Sequence, residues 1–309
     1  MTLQQLEYIV ALDQYRHFVN AAESCNITQP TLSAMIQKLE SELDVIIFDR
    51  NAHPIAPTPL GKKIIHQART ILFNTRGLNE IVATEKNRLE GDLHLGIIPT
   101  VAPYILPSFI KELHLSYPKI NLHVSEMRTD MIIEKLSNAE IDLAILATPL
   151  EEEHLLEIPL YYEEFIGYVS PLDPLFAKKE IRSKNMPNQH LWVLQEGHCL
   201  RNQVLNFCTK NHENFRSLYE AGSIDTLIKI VDTNGGYTII PELHLAFLNA
   251  QQQKNIRPLI APAVVREISL VFREDFVRER ILNMCADIVK QIIPSKMIDP
   301  HLKKFAIHL

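Results

Sequence analysis

The sequence predicts two folding classes in series: an all-α N-terminal domain with a small wing, then a long helix leading into an α/β domain of two lobes. Three observations carry this. The first sixty residues hold short runs of apolar side chains at helical spacing, and 58–88 holds one long helical pattern. From Gly91 onward, short apolar runs alternate with amphipathic helical stretches. A chain of 309 residues is also long enough to divide into more than one core.

Leu3, Leu6, Ile9 and Val10 form the first apolar stripe, and Phe18, Ala21, Ala22 and Cys25 the second. Asn26 offers a turn between helices, and Thr28 caps a third helix whose first turn tolerates Pro30. Its inner face is expected to be Leu32, Met35, Ile36 and Leu39. Two short helices joined by a tight turn, the second opening with polar Gln29, Thr31 and Ser33, make a helix-turn-helix. Leu43 through Arg50, followed by Pro54, Pro57 and Pro59, suits a hairpin wing. The winged domain is therefore placed at 1–58.

From Thr58 to Arg88, Leu60, Ile64, Ala68, Ile71, Thr75, Leu78 and Val82 recur at steps of three and four. This segment, 59–90, is expected to pair with a copy of itself, because it lies between two domains; the alternative is a helix resting on its own domain. Strand candidates follow at 93–98, 141–146, 165–169, 191–194, 237–240 and 268–272, with helices at 103–115 and 130–138. The alternation implies largely parallel sheets over 91–309. Two lobes are expected, one at about 91–164 with 267–309 and the other at about 165–266.

Charge alone does not suggest nucleic acid. Residues 1–90 carry 9 Lys+Arg against 10 Asp+Glu, and the remainder 22 against 27. No apolar run reaches the ~20 residues that cross a bilayer, and the N-terminus lacks a basic, cleavable leader, so a cytoplasmic protein without membrane contact is expected. The four cysteines, Cys25, Cys199, Cys208 and Cys285, are too few for a disulfide scaffold and show no CxxC spacing. Cys25 and Cys285 lie on apolar helical faces and read as packing residues. Scattered histidines without HExxH spacing suggest no metal, and Gly235-Gly236 lacks the rest of a dinucleotide fingerprint, so no cofactor is expected.

The N-terminal stretch resembles the LysR family of transcription regulators. The residues that carry this are Ala21, Ala22, Thr28-Gln29-Pro30-Thr31-Leu32-Ser33, Ile36, Leu39-Glu40, Leu43, Phe48, Arg50, Thr58 and Gly61. Asp44 stands where the family usually has glycine, and aspartate tolerates a left-handed turn. The resemblance implies a winged helix-turn-helix, a dimerising linker helix and an effector domain of the two-lobed type II periplasmic-binding-protein fold. It places the start of the third helix in the major groove of promoter DNA. Of the expected DNA-binding residues there, Gln29, Thr31, Ser33 and Gln37 would read base edges, Lys38 and Arg50 would reach phosphates, and Pro30 lies among them.

The segment EGHCLRNQVLNFC at 196–208 resembles the redox segment of the peroxide-sensing members of that family, supported by 98–107, Thr129, 235–242 and Arg266. Asn202 stands where an acidic residue is usual. The resemblance makes Cys199 the thiol that meets hydrogen peroxide and Cys208 the one that resolves it. It also draws Thr100, Thr129, His198, Arg201 and Arg266 into the peroxide pocket. His198 and Arg201 are expected to lower the Cys199 pKa at a helix N-terminus.

A non-enzymatic regulator is thus expected, acting as a homodimer or homotetramer with RNA polymerase as a further partner. The alternative within the family is a regulator that binds a small molecule in the interlobe cleft, with the thiols incidental. A thiol peroxidase would not need residues 1–60, and a solute-binding protein would need an export signal.

Overall fold

The computed structural model describes residues 1–85, 89–182, 186, 190–208, 220–260, 264–299 and 301, without the side chains of 76, 79–85 and 206–208. The chain divides into two compact units, Met1–Arg88 with Asn138–Glu140, and Leu89–Ser137 with Ile141–Leu309. No helix among the described residues is long and apolar enough to cross a membrane.

In the first unit, α1 (Leu3–Tyr15) is started by Thr2 and Gln5 in a reciprocal capping box. Helix α2 (Phe18–Ser24) ends before Asn26, whose φ of 55° makes the predicted turn. Helix α3 (Gln29–Leu43) is capped by the Thr28 hydroxyl, which accepts from the Thr31 backbone N–H. Leu6, Ile9, Leu12, Ala21, Ala22, Leu32, Ile36 and Leu39 close the core, whereas Leu3 of the predicted first stripe is exposed. Asp44 ends α3 at φ 52°, so aspartate does take the left-handed turn.

The wing is a two-residue pairing of β1 (Phe48–Asp49) with β2 (Ala56–Pro57). Its base is held by Glu40, whose carboxylate accepts from the N–H groups of Ile47 (2.8 Å) and Phe48 (3.2 Å) and from Arg50 (3.0 Å). Helix α4 (Pro59–Glu85) begins where the Thr58 hydroxyl accepts from Gly61 N–H. A Cβ at Gly61 would lie 2.0 Å from the Ile47 carbonyl oxygen, so only glycine permits this contact of helix and wing.

The linker helix departs from its expected free stripe. Ile64, Ile65, Ala68, Ile71 and Leu72 pack on the helix-turn-helix core, so the first half of α4 belongs to that domain. Leu60 and Leu78 remain exposed.

The second unit runs β3 (Gly91–Ile97), α5 (Ala102–Ser116), β4 (Ile120–Glu126), α6 (Thr129–Ser137), β5 (Leu143–Thr148) and β6 (Leu155–Val169). It continues through β7 (Ile181–Arg182), β8 (Val193–Leu194), α7 (Cys199–Cys208), β9 (Glu220–Ala221), α8 (Ile224–Asn234), β10 (Tyr237–Pro241), β11 (Ile256–Ile260), β12 (Val265–Arg273) and α9 (Glu279–Ile292). The main sheet has the order β4-β3-β5-β12-β6-β11-β7, with β10 also on β6.

The sheet is mixed, which corrects the largely parallel expectation. β3 is parallel to β4 and β5, but β12 is antiparallel to β5 and β6, and β6 is antiparallel to β10 and β11. The reason is that β6 and β12 carry the chain out of and back into the first group of strands. β6 changes partners within its length: Glu164 pairs with Val265 of β12, and Phe165 with Pro241 of β10.

Replacing Glu40 with Ala should loosen the wing by about 2 kcal/mol, since two backbone N–H groups and a guanidinium lose a charged acceptor. Hydrogen exchange at Ile47 and Phe48 should then accelerate about thirtyfold. Unchanged exchange there would show that Glu40 does not hold the wing.

Candidate functional site

Two sets of residues stand out, one in each unit. The first is the opening of α3, where Gln29, Pro30, Thr31, Gln37 and Lys38 are exposed and Ser33 is half-buried. Pro30, Thr31, Gln37 and Lys38 turn away from the face of Leu32, Ile36 and Leu39, Ser33 flanks that face, and Gln29 stands one turn before it, so core packing fixes which way they point. Arg50 stands in the wing. It is bonded to Glu40 and lies 5.8 Å from the Phe18 ring centroid, so its charge also holds the wing.

The second set surrounds Cys199, the first residue of α7, with Cys208 at the last. Gly197, at φ +91°, turns the chain into the helix, and Arg128 lies where its Cβ would be. Cys199 lines a cavity of about 300 Å³ together with Thr129, Asp130, Ile133, Pro149, Leu150, Glu151, Gly197 and Asn202. Nine residues of helix separate the two cysteine Cα atoms by about 13.5 Å, while a disulfide requires less than about 7 Å. The bond is incompatible with an intact α7. The Cys208 side chain lies outside the described residues, and Cys25, Cys199 and Cys285 are free thiols.

Behind the thiol sits a fully buried ion pair. Arg266 of β12 and Glu163 of β6 are cross-strand partners, and their side chains meet at 2.7 Å with neither exposed. Two further guanidinium N–H groups donate to Thr100, one to its hydroxyl and one to its carbonyl, each at 3.0 Å. Burial pushes the Glu163 carboxyl up although Arg266 opposes the shift. The Leu243 N–H also donates to Glu163, at 2.9 Å.

The thiol is not the lowered one that the sequence suggests. Cys199 is 5% exposed, and burial pushes its pKa above the ordinary 9.0. Arg266, the Thr129 hydroxyl and the N–H groups at the helix start pull the other way without prevailing. Thr129 Oγ1 is buried with no well-formed hydrogen bond, so its hold on the sulfur is loose.

His198 and Arg201 do not supply the expected charge. Burial, reinforced by Arg128, pushes His198 down and keeps it neutral, and Arg201 is paired with Glu220 at 2.7 Å. Among the described residues, the cation that acts on Cys199 is Arg266. Sequence reasoning missed Glu163; its only signal was an acidic pair, Glu163-Glu164, inside an apolar run.

The pattern for the bacterial regulatory helix-turn-helix protein, lysR family, matches residues 3–62, and the LysR substrate binding domain matches 86–292. The chain belongs to the LysR family of transcription regulators. It is 36% identical over 299 residues to the hydrogen peroxide-inducible genes activator of Haemophilus influenzae, covering 95% of this chain and 99% of that one. It is 34% identical over 273 residues to the DNA-binding transcriptional dual regulator OxyR of Escherichia coli K12, covering 88% of this chain and 90% of that protein. A full-length OxyR variant from Pseudomonas aeruginosa superposes with a TM-score of 0.81 at 34% identity, covering 94% of this chain and 98% of the other.

A buried thiol with a raised pKa should be alkylated slowly at pH 7, and the rate should climb about tenfold per unit toward pH 9. Replacing Arg266 with Met removes the lowering charge and should slow alkylation further. A rate that levels off below pH 8 would mean a stabilised thiolate. Cys285, pushed up to about 12 by burial, should react only on unfolding. Both thiols sit higher folded than unfolded, so their contribution to stability is complete below pH 9 and is lost as the pH rises beyond it.

Proposed function

We propose that this chain is a transcription regulator that senses hydrogen peroxide at Cys199. The observation that carries the reading is Cys199 itself, at the start of a helix and on the wall of a cavity, within the field of the buried Arg266. The Cys199 thiolate attacks one peroxide oxygen and the O–O bond breaks. The leaving hydroxide takes a proton, giving a sulfenic acid and water. Thr129, on the wall of the same cavity, offers its hydroxyl to peroxide in this reading, and Arg266, through its charge, favours the thiolate and the departing hydroxide.

The Cys208 thiol then displaces hydroxide from the sulfenic acid, forming the disulfide and a second water. Because α7 holds the cysteines apart, this step requires the helix to unwind, which converts an oxidation into a change of shape. The exposed side chains at the start of α3 read base edges, with Lys38 reaching phosphate. The chain acts as a homodimer or a homotetramer on promoter DNA in the cytoplasm, and engages RNA polymerase there.

A second reading has its own observation. A cavity of about 270 Å³ is lined by Thr100, Tyr104, His198, Ser223, Asp225 and His244, which suits a small polar effector. Footprinting one promoter with the untreated and peroxide-treated protein separates the two, because only the first reading needs the thiols.

Replacing Cys199 with Ser should abolish the footprint change, and replacing Cys208 with Ser should leave a sulfenic acid at Cys199 with no disulfide. Mass spectrometry of the peptide spanning both would read this. A bond to Cys25 or Cys285, or an unchanged footprint response in the Cys199 variant, defeats the switch. On the DNA side, Gln29→Ala should reduce specific affinity about tenfold with little effect on non-specific binding. An equal fall in both would remove Gln29 from base reading.

A further inference from the structure

Among the described side chains of α7, Gln203 is the one whose polar atoms are all left unsatisfied. Gln203 lies between the two cysteines, four residues after Cys199, and is 0% exposed. Neither its amide oxygen nor its amide nitrogen has a hydrogen-bond partner among the described residues. Its neighbours along the helix, Leu200, Val204 and Leu205, are buried in an apolar core with Val193, Leu194 and Leu227. An amide removed from water without compensation is unfavourable, and such groups in a folded protein call for an explanation. An apolar residue of similar length would carry no such cost, and Met and Gln have nearly equal helix propensity.

We propose that Gln203 is a positioning residue for the thiol–disulfide step, setting how readily α7 gives way once Cys199 is oxidised. This rests on the reading of Cys199 and Cys208 given above. While α7 is intact the amide is stranded; when the helix unwinds, the amide regains water. Its orphaned state therefore raises the free energy of the helical form relative to the open one, and shifts the population toward the conformation in which the sulfurs can meet. Gln203 neither donates to nor accepts from the Cys199 sulfur, so it acts on the second chemical step and not the first.

The test is Gln203→Met, with Gln203→Leu as a second variant, in the full-length protein. Both should increase hydrogen-exchange protection of the α7 amides tenfold or more. Sulfenic acid formation at Cys199, timed in a Cys208→Ser background, should stay within twofold of the parent. Conversion of that sulfenic acid to the disulfide should slow by a similar tenfold or more. The equilibrium with a dithiol buffer should move toward the reduced form by about tenfold, a potential about 30 mV less negative.

Disulfide formation at the parent rate, or an unmoved potential, overturns the proposal. So does reduced α7 protection in both variants, because the amide would then be stabilising. Absence of any sulfenic acid at Cys199 in the parent background is a separate result; it would remove the peroxide reading itself.

Discussion

The second unit depends on the pairing of Arg266 with Glu163. Both side chains have no solvent exposure, and they sit opposite one another on β12 and β6, the two strands through which the sheet changes partners. A guanidinium in such a place is tolerable only when its charge is paired and its nitrogens are bonded, and Glu163 together with Thr100 bonds all three nitrogens. Removing one partner of a buried pair typically costs about 3–5 kcal/mol, because the other is left charged and dry. Thr100 follows the end of β3, so the same guanidinium ties that strand to the two central ones.

The pair has a second effect, on chemistry. Cys199 experiences two opposed influences: burial that favours the neutral thiol, and the Arg266 charge that favours the thiolate. Burial prevails in this conformation. The sulfur is thus protected from indiscriminate reaction, while the charge that would assist ionisation is already fixed in position and costs no rearrangement when needed. The positive field comes from a residue distant in sequence and rigidly held, whereas the adjacent histidine and arginine are neutral or otherwise engaged.

That contrast marks what was legible in the sequence. Local patterns transferred well: the Thr28 cap, the turn at Asn26, the left-handed Asp44, the start of α4 and the start of α7 at Cys199 all follow from side chains within a few residues, while the expected end of α4 at Arg88 lies outside the described residues. What failed was non-local. The first ten residues of β6 were missed because Glu157, Pro159, Glu163 and Glu164 interrupt the apolar pattern, although pairing with β12 makes them a strand. The Cys199 pKa was read from His198 and Arg201, whereas the shift depends on burial and on Arg266, which only the fold brings near. The stripe on α4 was legible as a stripe, but not as two surfaces, one of them already covered by its own domain.

The placement of Cys199 and Cys208 at opposite ends of α7 also has a consequence in time. Under the proposed chemistry, the sulfenic acid must persist for as long as the helix stays wound. During that interval a second peroxide can oxidise it to the sulfinic acid, which a thiol does not reverse. The length of the helix therefore sets a competition between unwinding and further oxidation. Scarce peroxide leaves time for the reversible disulfide, whereas a flood of it traps the sulfur before the helix opens. A ten-residue helix in this position bounds the range of oxidant over which the protein can respond and recover.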